Sequence, residues 1–194
     1  MIIIEDTAQQ IGKHEEKNRQ MIELGAKIIR QQLLVGDYML ASGGTVSIDT
    51  KKDLGELYSN IIQDHTRLSN EIKLAKECGI KLIFLVEHGE DIRCIDDVMQ
   101  WKNPQLEKYR FRVKAVLSKI GLVKKFGKYS LDDLLTIAKI NNAKIPKPPA
   151  PNEQLIKAMN TLTERYGCEF QFCTKDDCGK RIIEILGGDA VDRN

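Results

Sequence analysis

Ser47, Asp49 and Lys51 alternate with Val46 and Ile48 along residues 45–51. In an extended strand successive side chains leave opposite faces, so the two apolar residues turn one way and the hydroxyl, carboxylate and ammonium turn the other. A carboxylate and an ammonium two residues apart on one strand face stand side by side. A second carboxylate, Asp37 in Gly36-Asp37-Tyr38, joins them if the preceding strand pairs Leu40 with Val46 across a loop of residues 41–45, a register that the Ser42-Gly43-Gly44 tract makes easy. Two carboxylates converging on one point repel unless a cation lies between them, and an oxygen-only donor set with open positions suits Mg²⁺ or Mn²⁺. A lysine beside such a site can orient or deprotonate a water, or steady the charge that develops on a phosphate. Each motif alone is commonplace in hairpins. Their weight comes from standing in this order on adjacent strands, with a helix to follow.

The elements that must position these residues are read from apolar spacing. Residues 2–4 form a short strand, and residues 15–32 a helix carrying Met21, Leu24, Ile28 and Ile29 on one face. Residues 33–40 and 45–51 are the two hairpin strands. Residues 53–76 follow as one long helix whose Leu54, Leu57, Ile61, Leu68, Ile72 and Ala75 share a face. The continuous Leu-Ile-Phe-Leu-Val run within residues 81–87 marks a strand buried on both sides. Near the end come a helix over 152–166, a strand over 169–173 and a helix over 175–186. The order is β-α-β-β-α-β, an insert, then α-β-α, an α/β architecture.

The insert announces itself by charge. Twelve basic residues and three acidic ones fall within residues 102–149, a local +9, while the chain as a whole carries only +2 and everything outside the stretch sums to −7. Proline brackets the same stretch, with Pro104 at one end and Pro146, Pro148, Pro149 and Pro151 at the other, where the run reads as a linker. Inside, Val113, Val116, Leu117 and Ile120, then Leu131, Leu134, Leu135 and Ala138, recur at helical spacing, with Gly127 and Ser130 between them as stop and N-cap. The expected division is residues 1–102 as the first part of a core, 103–150 as a basic helical insert, and 151–194 as the closing α-β-α. With Tyr109, Phe111, Phe126 and Tyr129 interleaved, the insert suits nucleic acid, and Arg110, Arg112, Lys114, Lys124, Lys125 and Lys128 are its candidate contacts.

The 194 residues, 42% hydrophobic and 30% charged, place the chain among globular proteins and leave disorder, collagen and coiled coil without support. No apolar run approaches the ~18 to 20 residues of a membrane span, and the Met-Ile-Ile-Ile start runs into Glu5 and Asp6 with no basic region before it, so a cytoplasmic protein with no membrane partner is expected. Five cysteines without zinc-type pair spacing are read as reduced thiols. His14, His65 and His88 are expected at the surface or at helix caps, and Trp101 as packing at the boundary of the insert.

Gly36-Asp37-Tyr38, Ile48-Asp49-Thr50-Lys51 and the following Asp53-Leu54 resemble the active-site signature of the XPF-type structure-specific endonucleases, a branch of the PD-(D/E)XK nuclease superfamily. Asp49-x-Lys51 is similar to its (D/E)-x-K element and Asp37 to its leading aspartate. Residues 3–9 are similar to the family's strand ending in D-x-R-E, which makes Asp6 a further acidic member of the site. The resemblance implies a restriction-endonuclease-like core, a mixed sheet flanked by helices, and a metal-dependent DNA endonuclease acting on branched or structured DNA in repair or recombination. It implies that Asp37, Asp49 and the Thr50 carbonyl hold Mg²⁺ or Mn²⁺ and that Lys51 serves the water, with DNA as partner and a homodimer as a compatible assembly. Asp49-Thr50-Lys51 stands where the family has E-R-K, and Ala8 and Gln9 where it has arginine and glutamate. Those departures keep a second reading open, a non-catalytic DNA-binding or scaffold subunit on the same fold, and behind it a module whose insert binds an acidic protein.

Overall fold

A computed structural model describes residues 1–10 and 12–191. Its larger unit comprises Met1–Trp101 and Glu153–Asn194, its smaller one Lys102–Asn152. The larger unit is built on a six-stranded sheet in the order β2-β1-β3-β4-β5-β6. Strand β1 is Ile2–Asp6, β2 Lys27–Gln31, β3 Tyr38–Leu40, β4 Val46–Lys51, β5 Lys81–Glu87 and β6 Glu169–Cys173. Strands β1 and β2 run parallel, β3 is antiparallel to both β1 and β4, and β4, β5 and β6 run parallel. Helices α1 (Glu15–Glu23) and α7 (Cys178–Val191) pack together over one side, where Ile3, Met21, Tyr38, Leu40, Ile48, Leu85, Ile182 and Leu186 form a continuous core. Helices α2 (Leu54–Tyr58) and α3 (His65–Glu77) pack against β4 and β5.

Three expected elements differ. The segment read as a helix over 15–32 is a helix that stops at Glu23 and a strand, β2. The stop is Gly25, whose φ of +86° continues no helix, with the Ala26 amide bonding back to the Met21 carbonyl at 3.0 Å. The β-branched pair Ile28-Ile29 fits either periodicity, and parallel pairing with Ile3 and Ile4 decides for the strand. The first hairpin strand is only Tyr38–Leu40, because residues 33–37 make a bent approach to it. The long helix read over 53–76 is broken: Asp53 caps α2 by accepting the Glu56 amide at 2.7 Å, a π-helical turn spans Ser59–Gln63, and α3 starts afresh.

In the smaller unit, α4 (Pro104–Lys119) is capped by Asn103 and α5 (Leu131–Ile140) by Ser130, which with Asp133 forms a reciprocal capping box. Tyr109, Val113, Leu117, Val123, Leu134 and Ala138 close a core between these helices. The first helix stops at Gly121, whose amide bonds the Ser118 carbonyl, and not at Gly127. Helix α6 (Asn152–Tyr166) leads back to β6.

The hairpin register is the expected one. Tyr38 pairs with Ile48 and Met39 with Ser47, which sets Leu40 across from Val46 and Asp37 across from Asp49. Gly36 makes the approach to this hairpin possible. Its φ is +73°, and a Cβ there would lie 2.9 Å from the Ile48 carbonyl oxygen and closer still to the Ser47 hydroxyl. Gly36→Ala is therefore expected to cost about 3 kcal/mol from left-handed strain and overpacking together. A thermal melt should drop by roughly 6–12 °C. Gly25→Ala, where nothing lies within 4 Å of the added carbon, bears the strain alone and should lose less than half as much; equal losses in the two variants would contradict the close approach at Gly36.

Candidate active site

Strands β3 and β4 bring Asp37, Asp49, Thr50 and Lys51 to the wall of a cleft of about 340 Å³, with Asp6 from the end of β1 at its edge. Asp37 is 3% exposed and both its oxygens are engaged. Its Oδ2 accepts the Thr50 amide at 2.8 Å and the Thr50 hydroxyl at 2.6 Å, and its Oδ1 accepts the Gln9 side-chain amide at 2.6 Å. Its backbone is fastened as well, the amide donating to Ile48 at 2.7 Å and the carbonyl accepting from Asp6 at 2.9 Å. Asp49 and Lys51 leave the same face of β4, as alternation requires, and Lys51 Nζ donates to both Asp49 oxygens at 2.8 and 2.7 Å. The ammonium also lies 5.6 Å from the centre of the Phe84 ring.

Burial is the chief force on Asp49. It pushes the carboxyl up to about 7, helped by the charges of Asp37 and Glu71 and opposed by Lys51. With Asp6, Asp37, Asp49, Glu56 and Glu71 set against Lys13, Lys51 and Arg67, the lining of the cleft carries more acidic than basic groups. The carboxylates there offer oxygens, the kind of donor that hard divalent cations take, and they fit Mg²⁺ or Mn²⁺ better than a sulfur-seeking metal. Among the described residues no three His, Cys, Asp or Glu side chains cluster as metal ligands, so a main-chain carbonyl or water must complete any coordination shell here.

Asp6 enters differently from the other two carboxylates, since its Oδ1 accepts the Leu33 amide at 2.9 Å and so ties down the bent approach to β3. Glu71 and His14 have no functional reading from sequence, and Gln9 has one only as a departure from the family pattern. Glu71, on α3, faces the cleft and accepts the Gly36 amide at 3.3 Å. Gln9 bonds Asp37 and in turn accepts Lys13 Nζ at 2.8 Å, making a chain from the solvent edge to the buried carboxylate. His14 stands at the N-cap position of α1 as one of the expected alternatives has it, but its side chain makes no cap bond and is buried instead: it is 2% exposed, 3.5 Å from Glu5 and 3.9 Å from Asp37. Burial holds the His14 imidazole below the usual histidine value against the pull of Asp37. Beside it, Lys17 and Glu87 form a buried ion pair. No local pattern marks Glu71 or His14, because packing between distant segments brings Glu71 to the cleft and His14 beside Asp37.

The nucleic-acid candidates all lie in the smaller unit. Lys124, Lys125, Lys128 and Arg112 are exposed and Lys114 is half-buried, whereas Arg110 is largely committed, bonding Glu107 at 3.0 Å and the Tyr129 carbonyl at 3.0 Å.

No family model matches the sequence, and no curated protein matches it. Among solved structures the fold is similar to that of XPF from Aeropyrum pernix, with a TM-score of 0.56 and 14% identity over 98% of this chain. It is similar also to XPF from Aeropyrum pernix in complex with DNA, with a TM-score of 0.55 and 15% identity over the whole chain. The chain spans 65% and 66% of the length of those two proteins. The fold is therefore an XPF-nuclease-like α/β fold, as the signature around Asp37 and Asp49 implied.

The raised Asp49 has a consequence for stability. A carboxyl whose folded-state value lies near 7 holds a proton that the unfolded chain, with its ordinary value near 3.8, gives up. Its contribution is complete below about pH 4 and is lost as pH rises to about 7. In metal-free buffer the melting temperature of Asp49→Asn minus that of the wild type should therefore increase from pH 4 to pH 7 and level off above. A difference that stays flat across that window would contradict the burial effect.

Proposed function

We propose that this chain is a divalent-cation-dependent DNA endonuclease acting on branched or structured DNA. The observation that carries the reading is the buried group of Asp37, Asp49 and Lys51, drawn to one cleft by β4 and the segment that enters β3, with the Lys51 ammonium bonded to Asp49. The XPF-like fold supports it, as does the DNA bound to one of its structural neighbours. Asp37, Asp49 and the Thr50 carbonyl would hold Mg²⁺ or Mn²⁺. Bound there, the ion would supply Lewis acidity at the scissile phosphate and would lower the pKa of water.

The protein's own groups do the positioning. Thr50 fixes Asp37 through two bonds, so the carboxylate keeps its orientation when its other oxygen is released by Gln9. Lys51 Nζ, now shared by the two oxygens of Asp49, is left with donor capacity toward the cleft, where it orients the attacking water and offsets charge growing on the phosphate. The ring of Phe84 beneath it keeps bulk water from that ammonium. Affinity comes from the basic hairpin, whose exposed Lys124, Lys125 and Lys128 meet phosphates.

Incubating the protein with labelled duplex, flap, fork and four-way substrates in Mg²⁺, Mn²⁺ or EDTA tests the reading. Cutting should need the cation. Asp37→Asn and Asp49→Asn should abolish it, with weakened Mn²⁺ binding by calorimetry and DNA affinity retained, and Lys51→Ala should slow it on the order of 10²-fold or more while the ion still binds. If the wild type binds DNA yet cuts none of these substrates under any cation, the non-catalytic DNA-binding reading replaces this one.

The hairpin is tested separately by neutralising Lys114, Lys124, Lys125 and Lys128. Binding should weaken for all sequences alike, and on duplex the slope of log K against log salt should shrink by about 0.9 for each phosphate that no longer meets a lysine. At saturating DNA the cutting rate should survive. An unchanged salt slope would remove the hairpin from the DNA-binding surface.

A further inference from the structure

Phe126 is 90% exposed, more than any other large apolar side chain of the described residues. A lone exposed apolar residue needs no explanation by itself. What sets this one apart is how rigidly the chain presents it. The Gly127 amide donates to the Lys124 carbonyl at 3.0 Å, closing a turn with Lys125 and Phe126 at its apex.

Both legs of that turn are anchored. On one side Val123 is buried in the hairpin core, and the Leu122 amide bonds the Leu117 carbonyl at 2.9 Å. On the other side the Tyr129 hydroxyl accepts the Lys124 amide at 3.2 Å, and the Tyr129 carbonyl accepts Arg110 at 3.0 Å. Tyr129 lies so close beneath the turn that a Cβ on Gly127 would come within 2.9 Å of its hydroxyl oxygen. An aromatic ring is thus held out on a braced apex, with Lys124, Lys125 and Lys128 exposed around it and Lys125 Nζ 5.6 Å from its centre.

We infer that Phe126 is a stacking platform for an unpaired nucleobase, with the three lysines taking the phosphates on either side of that base. This rests on the reading that the basic hairpin meets nucleic acid, and it names the part of the substrate the hairpin recognises. Every base has a π face, so such stacking tolerates any sequence. Inside a duplex both faces of each base are covered by its neighbours, so the ring finds a partner only at single strands, flaps and junctions. Phosphate contacts alone make no such distinction. The turn therefore gives the hairpin a preference for structure over sequence.

The test is anisotropy of the full chain in EDTA, with a labelled oligothymidine strand and a blunt duplex of equal length. Phe126→Ala should bind the single strand about tenfold more weakly, while duplex affinity stays within about twofold and the salt slope on both probes is unchanged. Phe126→Trp should restore single-strand affinity, and its added indole emission should be quenched by the strand. Because the side chain is exposed, both variants should melt with the wild type. Equal effects of Phe126→Ala on the two probes, or none on either, overturn the inference while leaving the nuclease reading intact. Polyglutamate binding that depends on Phe126 in the same way also overturns it and assigns the turn to an acidic protein. A wild type that binds neither probe overturns both this inference and the nucleic-acid role of the hairpin, whereas loss of cutting alone, with single-strand binding still dependent on Phe126, counts against the nuclease reading only.

Discussion

Two carboxylates and one ammonium occupy the same buried cleft, and this imbalance organises the larger unit. Asp37 and Asp49 are set across from each other by strand register, so they cannot move apart without breaking the hairpin. Inside a protein like charges repel more strongly than in water. The structure answers with donors: Thr50 and Gln9 serve Asp37, and Lys51 serves Asp49. Glu71 then tilts the balance back toward negative charge. Asp49 responds by holding its proton to about pH 7.

Strand β4 carries both halves of this arrangement. Val46 and Ile48 lie against the core under α1 and α7, and Ser47, Asp49 and Lys51 line the opposite face without reaching open water. Ser47 settles its own polarity by donating to the Val35 carbonyl at 2.7 Å, which also holds the bent segment that delivers Gly36 and Asp37. Polar groups buried on one strand face are stable only when each finds a partner, and here most of those partners come from the residues that the site needs in place. The Lys17–Glu87 pair beside His14 follows the same rule one layer away.

The charge division along the chain has a separate physical meaning. The larger unit collects acids around a cleft, and the smaller one packs its own core and spreads basic side chains over its surface. By charge alone a polyanion is drawn to the second and resisted by the first.

Much of this was legible in local patterns. The period-two alternation of Val46 to Lys51 assigned faces, and the glycine tract with five connecting residues set the register that aligns Asp37 with Asp49; both are short-range consequences of strand geometry. Strand β5, helix α6 and strand β6 were equally plain from apolar runs. Local pattern was ambiguous at Ile28-Ile29, which satisfies a helical face and a strand alike, and only pairing with β1, more than twenty residues away, selected the strand. Likewise the apolar face of residues 53–76 is compatible with one straight helix, but the π turn at Ser59–Gln63 resets the helix before Glu71 faces the cleft. The burial of His14 and the bond from Gln9 to Asp37 depend on segments far apart in the chain. Residue order determined which groups could do chemistry; which of them lose their water, and which carboxylate keeps a proton as a result, was decided by tertiary packing, because desolvation depends on every element that closes over the site.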